Sequence, residues 1–293
     1  TMTSERSGIL DEGLNSMERP VTVGMLKDVP AKWDSERNWS VLCEQFDRHA
    51  ADVDVFVTPE CHYDGYAVTE EDWTVERFSD VTLAVDDRRI EALRDMAKSQ
   101  ETAIVFGFTE KLDGGFYNCA LLIDAAGQIV GKYHKTHLLS HDHRFHRGNH
   151  LDTFDVDFGR VGMVICADRR WPESIRTLRL GGAEICLMPT YGMWGEENEW
   201  WMRTRSYENQ MFICFTHPKV SLITNPSGKV EAKLESNVTD VLIHTIDLSQ
   251  VHSGNHLENR RPDLYGPLTD TDHPSAQAPF DAPTVDDDTL PQE

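Results

Sequence analysis

No stretch of this sequence approaches the roughly 20 apolar residues that a membrane-spanning helix requires. The first residues, Thr1 to Pro20, are polar and mixed in charge, without the apolar segment of a secretory signal. The expectation is a cytoplasmic protein with no membrane partner. Cysteines are few: six, at positions 43, 61, 119, 166, 186 and 214, none in a CxxC pair or at zinc-finger spacing. A chain of 293 residues buries a sizeable core without staples, so this scatter is not a disulfide framework. Most of these thiols read as small buried hydrophobes. Basic residues are also in the minority, 28 Lys plus Arg against 50 Asp plus Glu, for a net charge of −22. That balance excludes a nucleic-acid binder working by phosphate neutralisation, and docking on anionic lipid. No repeat of fixed period marks a solenoid.

What is present is a chain with 39% apolar and 27% charged residues, enough for one large α/β domain or two small ones. Residues 1–19 read as a loose arm, and strand character begins at Val21–Leu26. Asp34 is a candidate N-cap for a helix to Ala50, with Trp39, Leu42, Cys43 and Phe46 on one face. Val53–Val57 is the next strand, and Asp86–Ser99 the next helix, by Ile90, Leu93 and Ala97. Ala103–Phe108, Tyr117–Ile123 and the apolar Val161–Ile165 are strands. Pro172 suits the first turn of a helix that stops at Gly181-Gly182. Glu184–Met188, Met211–Phe215, Ser221–Thr224 and Val241–Ile246 are further strands, and Trp200–Asn209 a helix, with Trp200 and Trp201 at its start. The mixture points to a layered α/β or α+β domain over residues 20–268. From Thr269 to Glu293 the chain holds seven acidic residues and four prolines without Lys or Arg, the composition of a solvated tail.

Three stations carry candidate chemistry. Glu60 directly follows a strand, where a carboxylate often faces a crevice. Lys135 lies among aromatic and histidine neighbours, Gly131-Lys132-Tyr133-His134-Lys135-Thr136-His137, as a possible fixed cation for a developing oxyanion. Cys166 ends a strand ahead of a helix, in Cys166-Ala167-Asp168-Arg169-Arg170-Trp171-Pro172-Glu173. Backbone N–H groups and two arginines there favour a thiolate. A cysteine nucleophile needs a base or a lowered pKa, which Glu60 and Lys135 supply if the fold gathers all three.

These segments, in this order, resemble the nitrilase superfamily of carbon–nitrogen hydrolases. Further marks are Arg205-Ser206-Tyr207-Glu208-Asn209, Asn225-Pro226-Ser227-Gly228-Lys229 and Arg260-Arg261-Pro262-Asp263-Leu264-Tyr265. The resemblance implies a four-layer αββα sandwich and a catalytic Glu60, Lys135 and Cys166. It also implies an oxyanion site at Lys135 and the Ala167 N–H, no cofactor, and a homodimer or larger homo-oligomer. The run from Cys166 to Glu173 most resembles the N-carbamoyl-D-amino acid amidohydrolases, which implies Arg169 and Arg170 as anchors for a substrate carboxylate. The alternatives are a nitrile hydrolase and a silent binding protein of the same fold.

The sequence departs from the family where many members carry a second glutamate, four residues before a Phe-x-Pro-Gly element. Here that element is Phe145-His146-Arg147-Gly148, and His141 or Asp142 stands in the glutamate's place, both being candidates for the substrate site. The same stretch holds His134, His137, His141, His143, His146 and His150. A metal centre is the sharper reading of them; without an HExxH pattern, the expectation is no metal, with hydrogen-bonding histidines at the pocket mouth. Trp194, Trp200 and Trp201 are candidates for a pocket wall, with core or subunit-contact packing the favoured reading of Trp200 and Trp201, and Glu208 is a candidate for a buried acid or a brace on Lys135.

Overall fold

The structure, a computed structural model, describes residues 17–192 and 195–273. Most of the expected N-terminal arm and acidic tail, and Trp194, lie outside the described residues.

Twelve strands among the described residues build two six-stranded sheets. The first contains β1 (Pro20–Lys27), β2 (Val55–Val57), β3 (Ala103–Leu112), β4 (Gly115–Ile123), β5 (Ile129–His134) and β12 (Asp240–Asp247), in the order β12-β1-β2-β3-β4-β5. The second contains β6 (Thr153–Val156), β7 (Gly159–Met163), β8 (Ile185–Pro189), β9 (Phe212–Thr216), β10 (Val220–Thr224) and β11 (Val230–Glu235), in the order β11-β10-β9-β8-β7-β6. Both follow one plan. Three parallel strands (β1-β2-β3 and β7-β8-β9) continue into two antiparallel ones on one side and meet one on the other.

The sequence places the sheets by its period of two. Val55 and Val57, Ala103 and Val105, Ala120 and Leu122 join the core between the sheets, against Val161, Met163, Ile185 and Leu187. The alternate residues Phe56, Ile104, Phe106, Leu121 and Ile123 point outward onto Leu42 and Phe46 of α1 (Ser35–His49) and Ile90, Leu93 and Ala97 of α3 (Arg88–Gln100). A short α2 (Val75–Ser79) lies between these helices in the chain. α4 (Pro172–Leu180) and α5 (Glu196–Asn209) cover the second sheet through Ile175, Leu178 and Met202. A four-residue α6 (Asn255–Glu258) follows the last strand. The result is an αββα sandwich. Its outer packing is specific: Phe46 meets Phe56 edge-on at 5.5 Å, and truncating such a buried ring costs about 3–5 kcal/mol.

The N-cap expected at Asp34 is present, and Asp87 caps α3. The Asp34 side chain accepts from the Arg37 N–H at 3.0 Å, and Asp87 from Arg89 at 2.8 Å. Three strands were not expected: β5, β6 and β11. All are sheet edges, where one flank is unpaired and Lys132, Asp155, Glu231 and Lys233 interrupt the apolar pattern. Trp200 and Trp201 stand inside α5 rather than at its start, because Glu196, Glu197 and Glu199 favour the positive end of the helix dipole and begin it earlier. No helix among the described residues is long and apolar enough to cross a membrane.

Candidate active site

Three strand ends deliver the candidate residues. Glu60 follows β2, whose parallel pairing with β3 continues past the strand. The Thr58 N–H donates to the Val105 carbonyl at 3.0 Å, and the His62 N–H to the Gly107 carbonyl at 2.8 Å. Gly107 is required for this close approach, since a Cβ there would stand 2.1 Å from the Pro59 carbonyl oxygen. Lys135 follows β5, and its N–H donates to the Asn118 carbonyl of β4 at 2.9 Å. The Phe145–Gly148 element supports it from below: the Gly148 N–H donates to the Lys135 carbonyl at 2.9 Å, and a Cβ on Gly148 would stand 2.0 Å from the His134 carbonyl oxygen.

Cys166 follows β7 but opens a 3₁₀ turn (Cys166–Arg170), and α4 begins only at Pro172. Its φ of +46° is left-handed, a conformation costing a non-glycine residue of order 1–3 kcal/mol at such sites. Asp168 holds the turn. Its carboxylate accepts from the Ile165 N–H at 2.9 Å, Tyr133 Oη at 2.8 Å, Thr136 Oγ1 at 3.0 Å and the His137 N–H at 2.9 Å, with His137 Nδ1 at 2.8 Å. Asp168 therefore ties the Cys166 turn to the segment that carries Lys135.

Lys135 is fully buried between two carboxylates. Its Nζ donates to Glu60 Oε1 at 2.9 Å and to Asp142 Oδ2 at 2.8 Å. Burial alone would lower the ammonium's pKa, but Glu60 and Asp142 outweigh it and hold the pKa well above the usual lysine range. Lys135 in turn holds the Asp142 carboxyl below its ordinary value against the effect of burial. Tyr66 Oη donates to Asp142 Oδ1 in a short contact, and Asn118 Nδ2 donates to Glu60 Oε1 at 2.7 Å. Glu60 Oε2 is buried without a hydrogen-bond partner among the described residues, an acceptor left open inside the site.

Burial pushes the Cys166 thiol above its ordinary pKa, and the Glu60 charge pushes it further; Arg169 and Lys135 pull it down, as does the Tyr191 N–H. Arg169 is buried, with Nη1 3.3 Å from Cys166 Sγ and Nε donating to Asn198 Oδ1 at 3.0 Å. Its guanidinium lies 5.4 Å from the Trp201 ring and 5.6 Å from Phe215. Arg170 is half-buried, 5.9 Å from Trp201. Trp201 thus borders the arginines, whereas the Trp200 side chain is 57% exposed and turns away from the core.

The structure separates His141 from Asp142. Asp142 is fully buried on Lys135, while the His141 side chain is half exposed with Nε2 3.9 Å from Asp142 Oδ2. Glu208 does not brace Lys135. It is half-buried and accepts from Arg205 Nη1 at 3.0 Å, because its place on α5 faces Arg205 three residues back. The histidines of the 134–150 stretch disperse. His137 joins Asp168, His143 the Ser140 carbonyl, and only His134 lies in a group of potential metal ligands, with Glu110 and Cys119. Tyr66, Asn118 and Asn198 went unread in the sequence. The available signal was Asn118, a lone amide in the apolar strand Gly115–Ile123.

The sequence model of the family described as carbon–nitrogen hydrolase matches residues 22–255. The chain belongs to the carbon–nitrogen hydrolase family. A protein from Pseudomonas protegens, named a hydrolase in the pqqF 5′ region, is 31% identical over 90% of this chain and 95% of its own length. An (R)-stereoselective amidase of a Pseudomonas species is 27% identical, over 78% of this chain and 86% of its own. The crystal structure of a carbon–nitrogen hydrolase from Helicobacter pylori G27 superposes with a TM-score of 0.74 at 20% identity, covering 86% of this chain and 98% of that one. Its likeness concerns the fold, the αββα sandwich of the nitrilase superfamily. The relatives spread over several activities, and no single branch stands out. The protein is a hydrolase of carbon–nitrogen bonds.

Proposed function

We propose that this enzyme is an amidase that hydrolyses a small, carboxylate-bearing amide or N-carbamoyl compound through a thioester on Cys166. The observation that carries this reading is the buried Glu60–Lys135 pair at 2.9 Å, with Cys166 close enough for both charges to act on its thiol. Glu60 takes the thiol proton as general base. The sulfur attacks the carbonyl carbon, and Lys135 with the Ala167 N–H stabilises the oxyanion. The C–N bond then breaks, Glu60 returns the proton to the departing nitrogen, and ammonia leaves. A water that has lost a proton to Glu60 attacks the thioester, the C–S bond breaks, and the thiol regains its proton. With a carbamoyl donor the same steps pass through a thiocarbamate.

Asp142 takes the place of the family's second carboxylate, which keeps Lys135 charged and pointed at Glu60. Arg169 supports a carboxylate-bearing substrate. With Nη1 3.3 Å from the nucleophilic sulfur, it is within reach of a carboxylate one carbon from the scissile nitrogen, as in an N-carbamoyl α-amino acid. Arg170, on the same turn, is the more exposed anchor. The test compares ammonia release by wild type and Cys166→Ala from N-carbamoyl amino acids, simple amides and nitriles, with mass spectrometry for an adduct on Cys166. The expected result is release by wild type alone, fastest from carboxylate-bearing compounds. Equal release by both proteins would sink the mechanism, and a preference for nitriles would replace the substrate class.

A further inference from the structure

On the outer face of the first sheet, away from Cys166, three side chains with metal-ligand chemistry converge. Cys119 of β4 lies directly opposite His134 of β5. Glu110 of β3 is their diagonal neighbour, since Phe108 is the residue opposite Cys119. One sulfur, one imidazole nitrogen and one carboxylate oxygen lie within 4.8 Å of one another, and all three residues are buried. Tyr117 stacks on the His134 ring at 4.4 Å between centroids and fixes its plane. Glu110 gathers the donors: His134 Nε2 in a short contact and Lys132 Nζ at 2.8 Å.

We propose that Glu110, Cys119 and His134 form a binding site for a thiophilic divalent cation, with zinc as the type, distinct from the catalytic centre. The donor set of thiolate, imidazole and carboxylate suits zinc, and three protein ligands leave a fourth position for water. Tetrahedral zinc ligands stand roughly 3.3–3.8 Å apart, so the cluster needs only small side-chain shifts. Charge balances: the Glu110 carboxylate and a Cys119 thiolate neutralise the dication, and the thiol proton leaves to solvent. Lys132, which occupies Glu110 in the ion's absence, has somewhere to go. It lines a cavity of about 560 Å³ shared with Glu110, Asp86, Glu91, Arg94 and Lys111; Arg94 already pairs with Glu91 at 2.8 Å, and Asp86 offers the displaced ammonium another carboxylate.

The site bears on the active centre through the strands. Asn118 and Lys135, next in sequence to Cys119 and His134, both reach Glu60. An ion joining β3, β4 and β5 from outside braces the residues that β4 and β5 deliver inside.

The test titrates the full-length protein, in the Cys166→Ala background, with zinc against a chromophoric chelator and with cobalt by absorption spectroscopy. The expected result is one ion per chain and a thiolate-to-cobalt charge-transfer band. Cys119→Ser should remove the band. Cys119→Ser, His134→Gln and Glu110→Gln should each weaken zinc by more than the roughly 10–100-fold that loss of an outer-shell partner costs. His141→Ala and His143→Ala should leave binding unchanged. Absence of the charge-transfer band overturns the proposal without any variant having to fold. Zinc binding that survives Cys119→Ser and His134→Gln in folded protein overturns it as well.

Discussion

Nη1 of Arg169 lies 3.3 Å from the sulfur of Cys166, so the buried thiol has a cation as its immediate neighbour. Arg169 and Lys135 offset part of what burial and Glu60 do to this thiol. Replacing Arg169 with Gln should therefore raise the pH midpoint of iodoacetamide alkylation at Cys166 and slow the reaction at neutral pH. Alkylation rates across a pH series measure this, and an unchanged midpoint removes Arg169 from thiol activation.

Glu60 is the only group in the proposal that moves protons. Glu60→Gln preserves the acceptor for Asn118 but not the base, and kcat should fall by about 10²–10⁴. Steady-state ammonia release measures the loss. A variant retaining more than about a tenth of the wild-type rate would assign proton transfer elsewhere.

Asp142 and His141 are neighbours with opposite consequences. Asp142→Asn removes one of the two carboxylates around a fully buried ammonium, and breaking such a pair costs about 3–5 kcal/mol. Chemical denaturation should show that loss, accompanied by a fall in kcat. Asp142→Glu should retain more of both. His141→Ala, at a half-exposed position, should stay within about 0.5 kcal/mol of wild type.

Burial lifts the Asp64 carboxyl to about 7, against hydrogen bonds from Thr109 and Ala67. The folded protein keeps that proton up to about pH 7, whereas the unfolded chain releases it near pH 4. This contribution to stability is fully present below pH 4 and is lost as pH rises to 7, by about 1.4 kcal/mol per unit. Asp142 and Glu110, held below their ordinary values, act with the opposite sign and lose their contribution as pH falls. Unfolding free energies of wild type minus Asp64→Asn across this range isolate the Asp64 slope; a flat difference would refute it.

Gly107→Ala should act on the site from behind. The new methyl meets the Pro59 carbonyl oxygen, and relief requires the Thr58–Glu60 segment to move. Overpacking of this kind costs about 1–3 kcal/mol. Activity should fall further than that destabilisation explains, since Glu60 is what moves. Activity at a temperature where both proteins are folded separates the two effects.

The buried strands were legible because both faces of the first sheet are covered, so apolar residues at either parity mark them, as in Val55–Val57 and Ala103–Phe108. The edge strands Ile129–His134, Thr153–Val156 and Val230–Glu235 were not, because Lys132, Asp155 and Glu231 break the apolar pattern along an unpaired flank. Glu60, Lys135 and Cys166 could be read as candidates because each sits at a strand end in a motif of its own. Tyr66, Asn118 and Asp168 could not. Their meaning lies in contacts across the fold, Asn118 with Glu60 from 58 residues away and Asp168 with Tyr133 from 35. The choice between His141 and Asp142 likewise depended on which side chain the turn buries.

The pairing of β4 with β5 carries a further consequence. At this edge of the sheet, successive residues of each strand address different chemistry: Asn118 and Lys135 face Glu60, while Cys119 and His134 face Glu110. Sliding β5 by a single residue would exchange an imidazole for the ammonium beside Glu60 and set Lys135 against the outer cluster. The turn at Asp124–Gln128, closed by the Asp124 N–H on the Gln128 carbonyl at 2.9 Å, joins the two strands in this register. Register here is therefore a chemical setting as well as a packing one: the apolar pairs that hold β4 to β5 also decide whether an ammonium or an imidazole stands beside Glu60.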